Sequence, residues 1–579
     1  MKTSQKHSKK SQSIAGGDNL LVYLFEISPF LLGLASIYTS LFAGILVAVS
    51  FLILIATRKE CRFYWNRTTL AGGLILLGSL LSIFFGVDYG TGLEGFAVIL
   101  SAAVFGFLLM QVDPKTRKTA LHTMPETGFA LLLVSLFLCA FPKTRNFVIL
   151  SGRLNGLFQY ANVCALYLLL CLSVLLWQNG DRSHEDGSKG KKAFRLFLLP
   201  AALMGGILWT GSRYTFLLTL AVVVWSLIKY PLTRKTLAVL TGLVLAAAIV
   251  YVLVTGNVAS IGRFVTISGK SSTFVGRLLY WMDALPVIVR HPFGLGYLGY
   301  HQMEGLFQRG YYEVKFVHNE YLQAFLDYGW IGGIGFVTMI IHGLRKSRGL
   351  QRLLLVLISL HMIMDWDLQF FPMIWILLLE LPWEEGKCFS WEWSGFKTKS
   401  ILTTTCLVYI CLSAWIGIGD ALDYAGHPDV AWKIYPLDYK YAMAQVYAAR
   451  DYDTAEEFAE SVLKLDPYNS SVYVLYMNEA NAKGDYQAMI RYGKKAAALS
   501  PYQNEILSNY VEKLGKAIDS YKESGETAQC DKAITAVSEI KKLLIDTKAS
   551  TNPLAWRIKD KPKFTLTEDA EKILRAYAE

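Results

Sequence analysis

The feature that most constrains this chain is a series of apolar runs, each long enough to cross a lipid bilayer as a helix. A spanning helix needs about 20 apolar residues, because the hydrocarbon layer is about 30 Å thick. The runs lie at 20–38, 40–56, 70–86, 94–112, 126–142, 161–178, 194–210, 213–230, 236–254, 319–342, 352–365, 368–382 and 400–418. We therefore predict an all-α fold with a polytopic membrane domain of about 12–13 spans over residues 20–420. The polar residues 1–19 are interpreted as a cytoplasmic tail, because no convincing cleavage site follows them.

The composition supports this class and disfavours others. Of the 579 residues, 53% are hydrophobic and only 18% are charged, whereas a soluble protein carries about 25% charged residues. The net charge of +11 could suggest a nucleic-acid partner, but cytoplasmic loops of polytopic proteins accumulate such an excess. We therefore expect no nucleic-acid binding. The eight cysteines lack metal-binding spacing and lie mostly in apolar runs, so they are interpreted as small core residues.

The distribution of Lys and Arg predicts which connections face the cytoplasm. With the N-terminus inside, alternate connections carry clusters of these residues, whereas 37–40 and 86–92 have none. The clusters are Arg58, Lys59, Arg62 and Arg67; Lys115, Arg117 and Lys118; Arg182, Lys189, Lys191, Lys192 and Arg195; Arg234 and Lys235; Arg345, Lys346, Arg348 and Arg352; and Lys387, Lys397 and Lys399. Thirteen spans place the C-terminal domain outside. Losing one span near residues 352–382 would place it inside.

A few basic residues break this rule on the predicted exterior face. They are Lys143, Arg145 and Arg153 in one loop, Arg213 in the turn 210–213, and Arg263, Arg277, Arg290, His291, His301 and Arg309 in the long loop 255–318. Each could reach into anionic lipid headgroups. Because they come from three separate connections to one face, we favour a basic exterior pocket that binds a diphosphate through paired guanidinium contacts.

Four short motifs resemble the O-antigen ligase and polymerase family of membrane glycosyltransferases. The motifs are Arg153-Leu154-Asn155-Gly156 with Asn162; Gly211-Ser212-Arg213; Gly276-Arg277 with Trp281 and then Pro292-Phe293-Gly294-Leu295-Gly296-Tyr297; and His318-Asn319-Glu320-Tyr321-Leu322 with Gly329-Trp330-Ile331-Gly332. They follow the family's order and spacing over roughly residues 20–382. The resemblance implies transfer of a glycan from an undecaprenyl diphosphate donor on the outer face of a bacterial plasma membrane, with no metal or cofactor.

The candidate site residues fit that chemistry. An acceptor hydroxyl that attacks an anomeric carbon must lose its proton, and His318 is the candidate base. The alternative is that His318 only begins a helix. Arg153, Arg213 and Arg277 are predicted to bind the diphosphate and stabilise its developing charge, and Asn319 is predicted to bind it at the helix N-terminus. Arg263 is a weaker candidate.

Other polar residues in this region carry less weight. Asp365 and Asp367 could suggest a carboxylate pair of a glycosidase, but an i, i+2 spacing on a helix directs two side chains apart. We therefore interpret both as solvated residues at a membrane-helix end. No spacing demands a role for His291, His301 or His361, which are interpreted as polar residues of loops or helices.

Beyond the last span, a 34-residue period predicts a soluble domain over residues 421–579. Asp451-Tyr452, Leu465 and Pro467 recur as Asp485-Tyr486, Leu499 and Pro501. This is the tetratricopeptide length, so residues 430–521 are predicted to stack as an α-solenoid with amphipathic helices after it. Such a domain could bind a protein acceptor or act as a spacer.

Several functions remain open. We expect a ligase that transfers a lipid-linked glycan to a protein or cell-envelope acceptor, with a polymerase of the same family as the alternative. A flippase or transporter would also bind lipid phosphate, but no internal repeat of two matching halves is present. A non-catalytic scaffold anchored to membrane lipid is a further possibility.

Overall fold

The computed structural model describes residues 16–31, 36–57, 60–181, 189–230, 242, 271–392 and 396–578. The helices of the membrane domain are α1 (Gly16–Ile27), α2 (Ile37–Thr57), α3 (Arg67–Phe85), α4 (Tyr89–Gln111), α5 (Pro114–His122), α6 (Met124–Cys139), α7 (Pro142–Val148), α8 (Ala161–Asp181), α9 (Lys189–Ala193), α10 (Leu199–Thr210), α11 (Arg213–Lys229), α12 (Ser272–Arg290), α13 (Gly299–Gln302), α14 (Glu304–Phe307), α15 (Glu320–Lys346), α16 (Gly349–His361), α17 (Phe371–Leu379) and α18 (Phe396–Tyr424). The predicted span 236–254 and Arg263 lie outside the described residues.

The chain is an all-α, multi-pass membrane protein, as predicted. Within the described residues, seven helical segments are long and apolar enough to cross a membrane: α2, α3, α4, α5 with α6, α8, α15 and α18. Three shorter apolar segments lie at Leu20–Phe30, Phe194–Thr210 and Gly349–His361. These seven full-length and three shorter segments are those within the described residues, and the predicted span 236–254 lies outside them.

The predicted span 368–382 shows that an apolar run can be longer than the helix that forms within it. Helix α17 within it has nine residues, a rise of roughly 14 Å, which is too short to cross the bilayer alone. All nine residues are buried, so their apolar character serves packing within the protein. The connection from α16 is not α-helical, and it contains a 3-10 turn at Asp367–Gln369 just before α17.

Several connections that are distant in the sequence contact one another at one end of the helices, and the charge pattern predicts that these connections share a face. Strands β1 (Glu60–Trp65) and β4 (Lys387–Glu392) pair antiparallel. Arg117 forms an ion pair with Glu384 at 2.6 Å, and Lys346 with Glu385 at 3.4 Å. All these residues lie in connections that were predicted to be cytoplasmic. The candidate site lies at the other ends of the helices.

A break in α15 is coupled to the glycine-rich loop before it. Gly329 has a φ of 65° inside α15, and Gly294 has a φ of 82°. A Cβ on Gly294 would lie 2.6 Å from the Gly329 nitrogen, and one on Gly329 would lie 2.4 Å from the Pro292 oxygen. Only glycine allows this approach of two backbones. The break is secured by a hydrogen bond from the Trp330 N–H to the Pro292 carbonyl at 2.8 Å, so the motif fixes the first part of α15 against the loop.

The C-terminal domain is built from repeated helices. These are α19 (Pro428–Ile434), α20 (Tyr439–Ala448), α21 (Tyr452–Leu465), α22 (Ser470–Ala482), α23 (Tyr486–Leu499), α24 (Asn504–Ser524), α25 (Thr527–Ser550) and α26 (Glu568–Tyr577). Helices α21 and α23 start and end 34 residues apart. Asp451 caps α21 and Asp485 caps α23, each by accepting a backbone N–H. The 34-residue period is therefore a structural period, and membership of the tetratricopeptide class stays a prediction.

This domain packs directly on the face of the membrane domain that carries the loop 271–318. The Tyr435 hydroxyl donates to the Gly90 carbonyl at 3.0 Å, and the Asn552 N–H donates to the Arg309 carbonyl at 2.8 Å. Ala555 and Ile558 share a buried apolar cluster with residues of α12. The C-terminal domain and residues 271–318 of the long loop thus lie on the same side of the membrane domain.

Candidate active site

The carboxylate of Asp365 is the centre of the candidate site. It lies in the connection between α16 and α17, and its side chain is only 2% exposed. Its Oδ1 accepts hydrogen bonds from His318 Nδ1 at 3.1 Å and from the Tyr160 hydroxyl at 2.8 Å. Its Oδ2 accepts from Arg277 Nη2 at 3.1 Å and from Asn162 Nδ2 at 2.6 Å. One buried carboxylate therefore joins side chains from four other positions in the chain.

His318 is placed by the start of α15. Its φ is 53°, a left-handed conformation that is uncommon for a residue with a side chain and occurs often at functional sites. The next residue, Asn319, caps α15 by accepting the Leu322 N–H at 3.0 Å and donates to the Ile363 carbonyl at 3.0 Å. The Glu320 N–H donates to the Met362 carbonyl at 2.9 Å. These bonds attach the start of α15 to the connection that carries Asp365.

The orientation of the imidazole suits a general base. Its Nδ1 faces Asp365, and a carboxylate partner favours the tautomer that carries the proton on Nδ1. The Nε2 lone pair is then free to accept a proton. The side chain is 24% exposed, so a substrate can reach it, and the rings of Tyr280 and Trp366 flank it at 6.2 and 6.3 Å.

Arg277 lies on α12 and is held by the same carboxylate. Its side chain is 12% exposed. Within the described residues, its buried Nε has no hydrogen-bond partner, although a guanidinium has five N–H donors. Arg277 therefore keeps donors for a ligand after it has bound Asp365.

Arg153 joins the site indirectly, through Asn162. The turn before it contains Ser151 and Gly152, both with positive φ, which is the pattern of a tight hairpin turn between β2 (Ile149–Leu150) and β3 (Arg153–Leu154). Arg153 Nη2 donates to Asn162 Oδ1 at 2.8 Å, and its Nε donates to the Thr210 carbonyl at 2.7 Å. These bonds make Arg153 a support for Asn162.

Arg213 is the first residue of α11 and is partly exposed. No hydrogen bond or ion pair joins its guanidinium to another described residue. Its helix is fastened to the end of α16 by the Tyr214 hydroxyl, which donates to the Leu360 carbonyl at 2.9 Å, and by the contact between Thr215 and His361 at 3.0 Å. Arg213 is thus positioned through α16 and left free to bind a ligand.

The two carboxyl groups of the Asp-Trp-Asp segment have opposite electrostatic surroundings. Burial by itself would raise the pKa of Asp365, but the Arg277 guanidinium and the hydrogen bond from His318 hold that pKa well below its usual range. Burial raises the pKa of Asp367, against the opposing effect of His361, which binds it at 2.7 Å. Asp365 is therefore the ionised carboxylate of the site.

These contacts correct the interpretation of the aspartates from sequence. Asp365 and Asp367 are not solvated residues at a helix end, because both are buried and both accept hydrogen bonds from side chains. The i, i+2 rule for α-helices does not apply here, because Asp365 lies after the end of α16 and Asp367 begins a 3-10 turn. His361 also has a defined role, since it bridges Asp367 and Thr215. One feature of the sequence could have indicated this: carboxylates within an apolar run are costly to bury and normally have charged or hydrogen-bonding partners.

Two other predicted residues have partners within the protein. The Asn319 side chain is engaged in the helix cap and with the Ile363 carbonyl, and its contact with the diphosphate stays a prediction. Arg309 forms an ion pair with Asp283 at 2.7 Å on α12 and supports the loop. Among the described residues, no group of three or more His, Cys, Asp or Glu side chains is arranged to hold a metal ion.

A cavity of about 610 Å³ lies elsewhere, among Glu26, His122, Glu126 and Arg195. Arg195 belongs to a connection that was predicted to be cytoplasmic. It does not contain the residues around Asp365. The convergence of charged and hydrogen-bonding groups, and not cavity size, identifies the candidate site.

In a comparison with protein families, residues 196–337 match a family described as O-antigen ligase. This part of the chain is similar to the O-antigen ligase family. The O-antigen ligase match confirms the resemblance seen in the motifs and supports a function of the ligase or polymerase type in polysaccharide biosynthesis. It includes Arg213, Arg277 and His318, whereas Arg153, Asn162 and Asp365 lie outside it. Searches of curated proteins and of solved structures found no match.

Proposed function

We propose that this protein is a glycosyltransferase that moves a glycan from undecaprenyl diphosphate to a protein or cell-envelope acceptor. The observation that supports it most is that His318 and Arg277 both bind the buried carboxylate of Asp365. A general base and a phosphate-binding cation are thereby held side by side. We propose the outer face of a bacterial plasma membrane as the location, with the N-terminus cytoplasmic and the C-terminal domain outside.

The proposed reaction is a single displacement at the anomeric carbon. Nε2 of His318 accepts the proton of the acceptor hydroxyl as its oxygen bonds to that carbon. The bond from the carbon to the diphosphate oxygen breaks, and undecaprenyl diphosphate leaves with the electron pair. Asp365 stabilises the imidazolium that forms, as the aspartate of a catalytic triad does.

The arginines act on the leaving group. Negative charge grows on the diphosphate as the bond breaks, so cations aimed at it stabilise the transition state more than the bound donor. Arg277 and Arg213 are the direct diphosphate ligands in this proposal. The hydrogen bond of Arg277 to Asp365 engages only Nη2, and no hydrogen bond or ion pair joins the Arg213 guanidinium to another described residue. Arg153 and Asn319 are positioning residues, since their side chains hold Asn162 and the start of α15.

A polymerase of the same family would use the same site, with a second lipid-linked glycan as acceptor. We favour the ligase because a helical repeat domain is fixed beside the loop that carries the site, where it can hold a large acceptor. The two differ in product: purified enzyme given donor and a protein acceptor forms a glycoprotein if it is a ligase. A ladder of lipid-linked chains, formed without the protein, would indicate the polymerase.

A flippase is the alternative from another class, and one reconstitution experiment separates it. Liposomes containing the purified protein and a labelled undecaprenyl diphosphate glycan would be assayed for cleavage and for movement of the label across the bilayer. A transferase cleaves the donor when acceptor is present, and its His318→Ala variant does not. Movement of intact donor in both wild type and His318→Ala would overturn the proposal.

A further inference from the structure

The end of the C-terminal domain packs against the helix that carries Arg277. Ala555 and Ile558 are buried in a cluster with Val275 and Leu279 of α12. The Lys559 N–H donates to Ser272 Oγ, at the start of α12, at 2.7 Å. These contacts lie close to Arg277 along α12, on both sides of it.

The same segment is fastened to the other part of α12 through the long loop. The Asn552 N–H donates to the Arg309 carbonyl at 2.8 Å, and Arg309 forms an ion pair with Asp283 of α12 at 2.7 Å. A Cβ at Gly310 would lie 2.7 Å from the Ala555 Cβ, so the two backbones are closely packed there. Residues 552–559, here called the α12 support, therefore hold α12 at two places.

The position of α12 matters because Arg277 has a demanding geometry. Its Nη2 must stay 3.1 Å from Asp365 while its other donors reach the diphosphate. Displacement of a reacting group by about 1 Å can cost roughly 10²-fold in rate. A helix that is free to move by that distance would weaken both contacts of Arg277.

We propose that the α12 support is a positioning element of the donor site, which sets Arg277 against Asp365 and the donor diphosphate. This inference rests on the proposed function of Arg277. The C-terminal domain is then part of the machinery for donor cleavage and does more than recruit an acceptor. Its removal impairs donor use even when a small soluble acceptor is supplied in excess.

The test is a double-mutant cycle in the full-length protein, with donor cleavage as the readout. Ile558→Ala truncates the side chain that packs beside Gly276, where its Cγ2 would lie 3.8 Å from a Cβ on that glycine. Arg277→Lys is the second change, and Ile540→Ala is the matched control. Ile540 is 4% exposed and lies in a separate C-terminal cluster, whereas Ile558 is 6% exposed. Ser272→Ala, which removes only the acceptor of the Lys559 N–H, is the milder companion variant.

The expected result is a roughly 10- to 100-fold loss of kcat/KM in Ile558→Ala, with Ile540→Ala near wild type. In the Arg277→Lys background, Ile558→Ala should cost less than about twofold more, because the arginine through which it acts is gone. Fully multiplicative losses, or wild-type activity in Ile558→Ala, would overturn the inference.

Folding and the proposed function are checked separately. If Ile558→Ala does not purify as a folded protein, Ser272→Ala replaces it in the double-mutant cycle. The expected loss of kcat/KM is then smaller, and it must still be non-additive with that of Arg277→Lys. If Arg277→Lys alone leaves donor cleavage unchanged, the proposed role of Arg277 fails. If Arg277→Lys is impaired and the losses multiply, only the positioning role of the α12 support fails.

Discussion

Replacing Asp365 with Asn is the most revealing single change, because it keeps the shape of the side chain and removes its charge. Asp365 accepts at both oxygens: from His318, Tyr160 and its neighbour's backbone N–H at Oδ1, and from Arg277 and Asn162 at Oδ2. An amide has one acceptor oxygen and one NH₂ donor. Either orientation of the Asn side chain therefore turns a donor toward another donor.

Both orientations damage the reaction. An NH₂ facing Arg277 leaves a nearly buried guanidinium without its counter-charge. An NH₂ facing His318 favours the tautomer that protonates Nε2, which removes the base. Changes of this kind in a catalytic triad cost up to about 10⁴-fold in turnover, so we expect a loss of roughly 10²- to 10⁴-fold, or about 2.7 to 5.5 kcal/mol of barrier. Stability should also fall by about 3–5 kcal/mol, the range for a broken buried ion pair.

The assay is turnover of labelled undecaprenyl diphosphate glycan at saturating donor, corrected for folded protein. Asp531→Asn, on an exposed part of the C-terminal domain, is the control and should behave as wild type. Tyr160→Phe removes a single hydrogen bond to Asp365 and should cost much less than Asp365→Asn. Turnover near wild type in Asp365→Asn would refute the reasoning, because it would mean that neither His318 nor Arg277 depends on the carboxylate.

Three further outcomes are expected. His318→Ala should lower turnover by roughly 10²- to 10⁴-fold, the range for a lost general base, without loss of expression; near-normal transfer would mean that His318 only begins α15. Arg277→Lys and Arg213→Lys keep the charge but lose the planar fork, so each should be impaired in donor cleavage; full activity in both would indicate only diffuse attraction to headgroups. Burial raises the pKa of Glu304 to about 9, so its stabilising contribution is complete below its ordinary pKa of 4.5 and declines as pH rises toward about 9. Thermal unfolding should therefore show that Glu304→Gln loses less stability over that interval than wild type, and equal losses would count against this assignment.

The sequence predicted those features that depend on local patterns. Apolar runs indicated the helical class. The Lys and Arg clusters predicted which connections share a face, and the ion pairs of Arg117 and Lys346 join connections that were predicted to lie on the same face. The 34-residue period predicted repeated helices, and in the structure Asp451 and Asp485 cap two helices that start 34 residues apart. His318 and Arg277 were selected by motif and chemistry, and the structure brings them to one carboxylate.

The features that sequence could not give depend on contacts between distant segments. Asp365 was misinterpreted because an apolar run was taken as continuous helix, whereas the chain leaves the helix at His361. Nothing local marks β1 as the partner of β4, since Glu60 pairs with Glu392 at the far end of the membrane domain's sequence. The packing of Ile558 beside α12 is equally non-local. The sequence therefore suggested only that the C-terminal domain recruits an acceptor or acts as a spacer, whereas its contacts with α12 are the basis of the proposed support of Arg277.

The measurement that tests the central claim most directly is the balance of products in one turnover. Purified protein would be mixed with labelled undecaprenyl diphosphate glycan and an acceptor, and both products would be counted. We predict one undecaprenyl diphosphate released for each glycan attached to the acceptor, and neither product with His318→Ala. Release of lipid diphosphate without glycan transfer to any acceptor, or equal transfer by His318→Ala, would contradict a transferase whose base is His318.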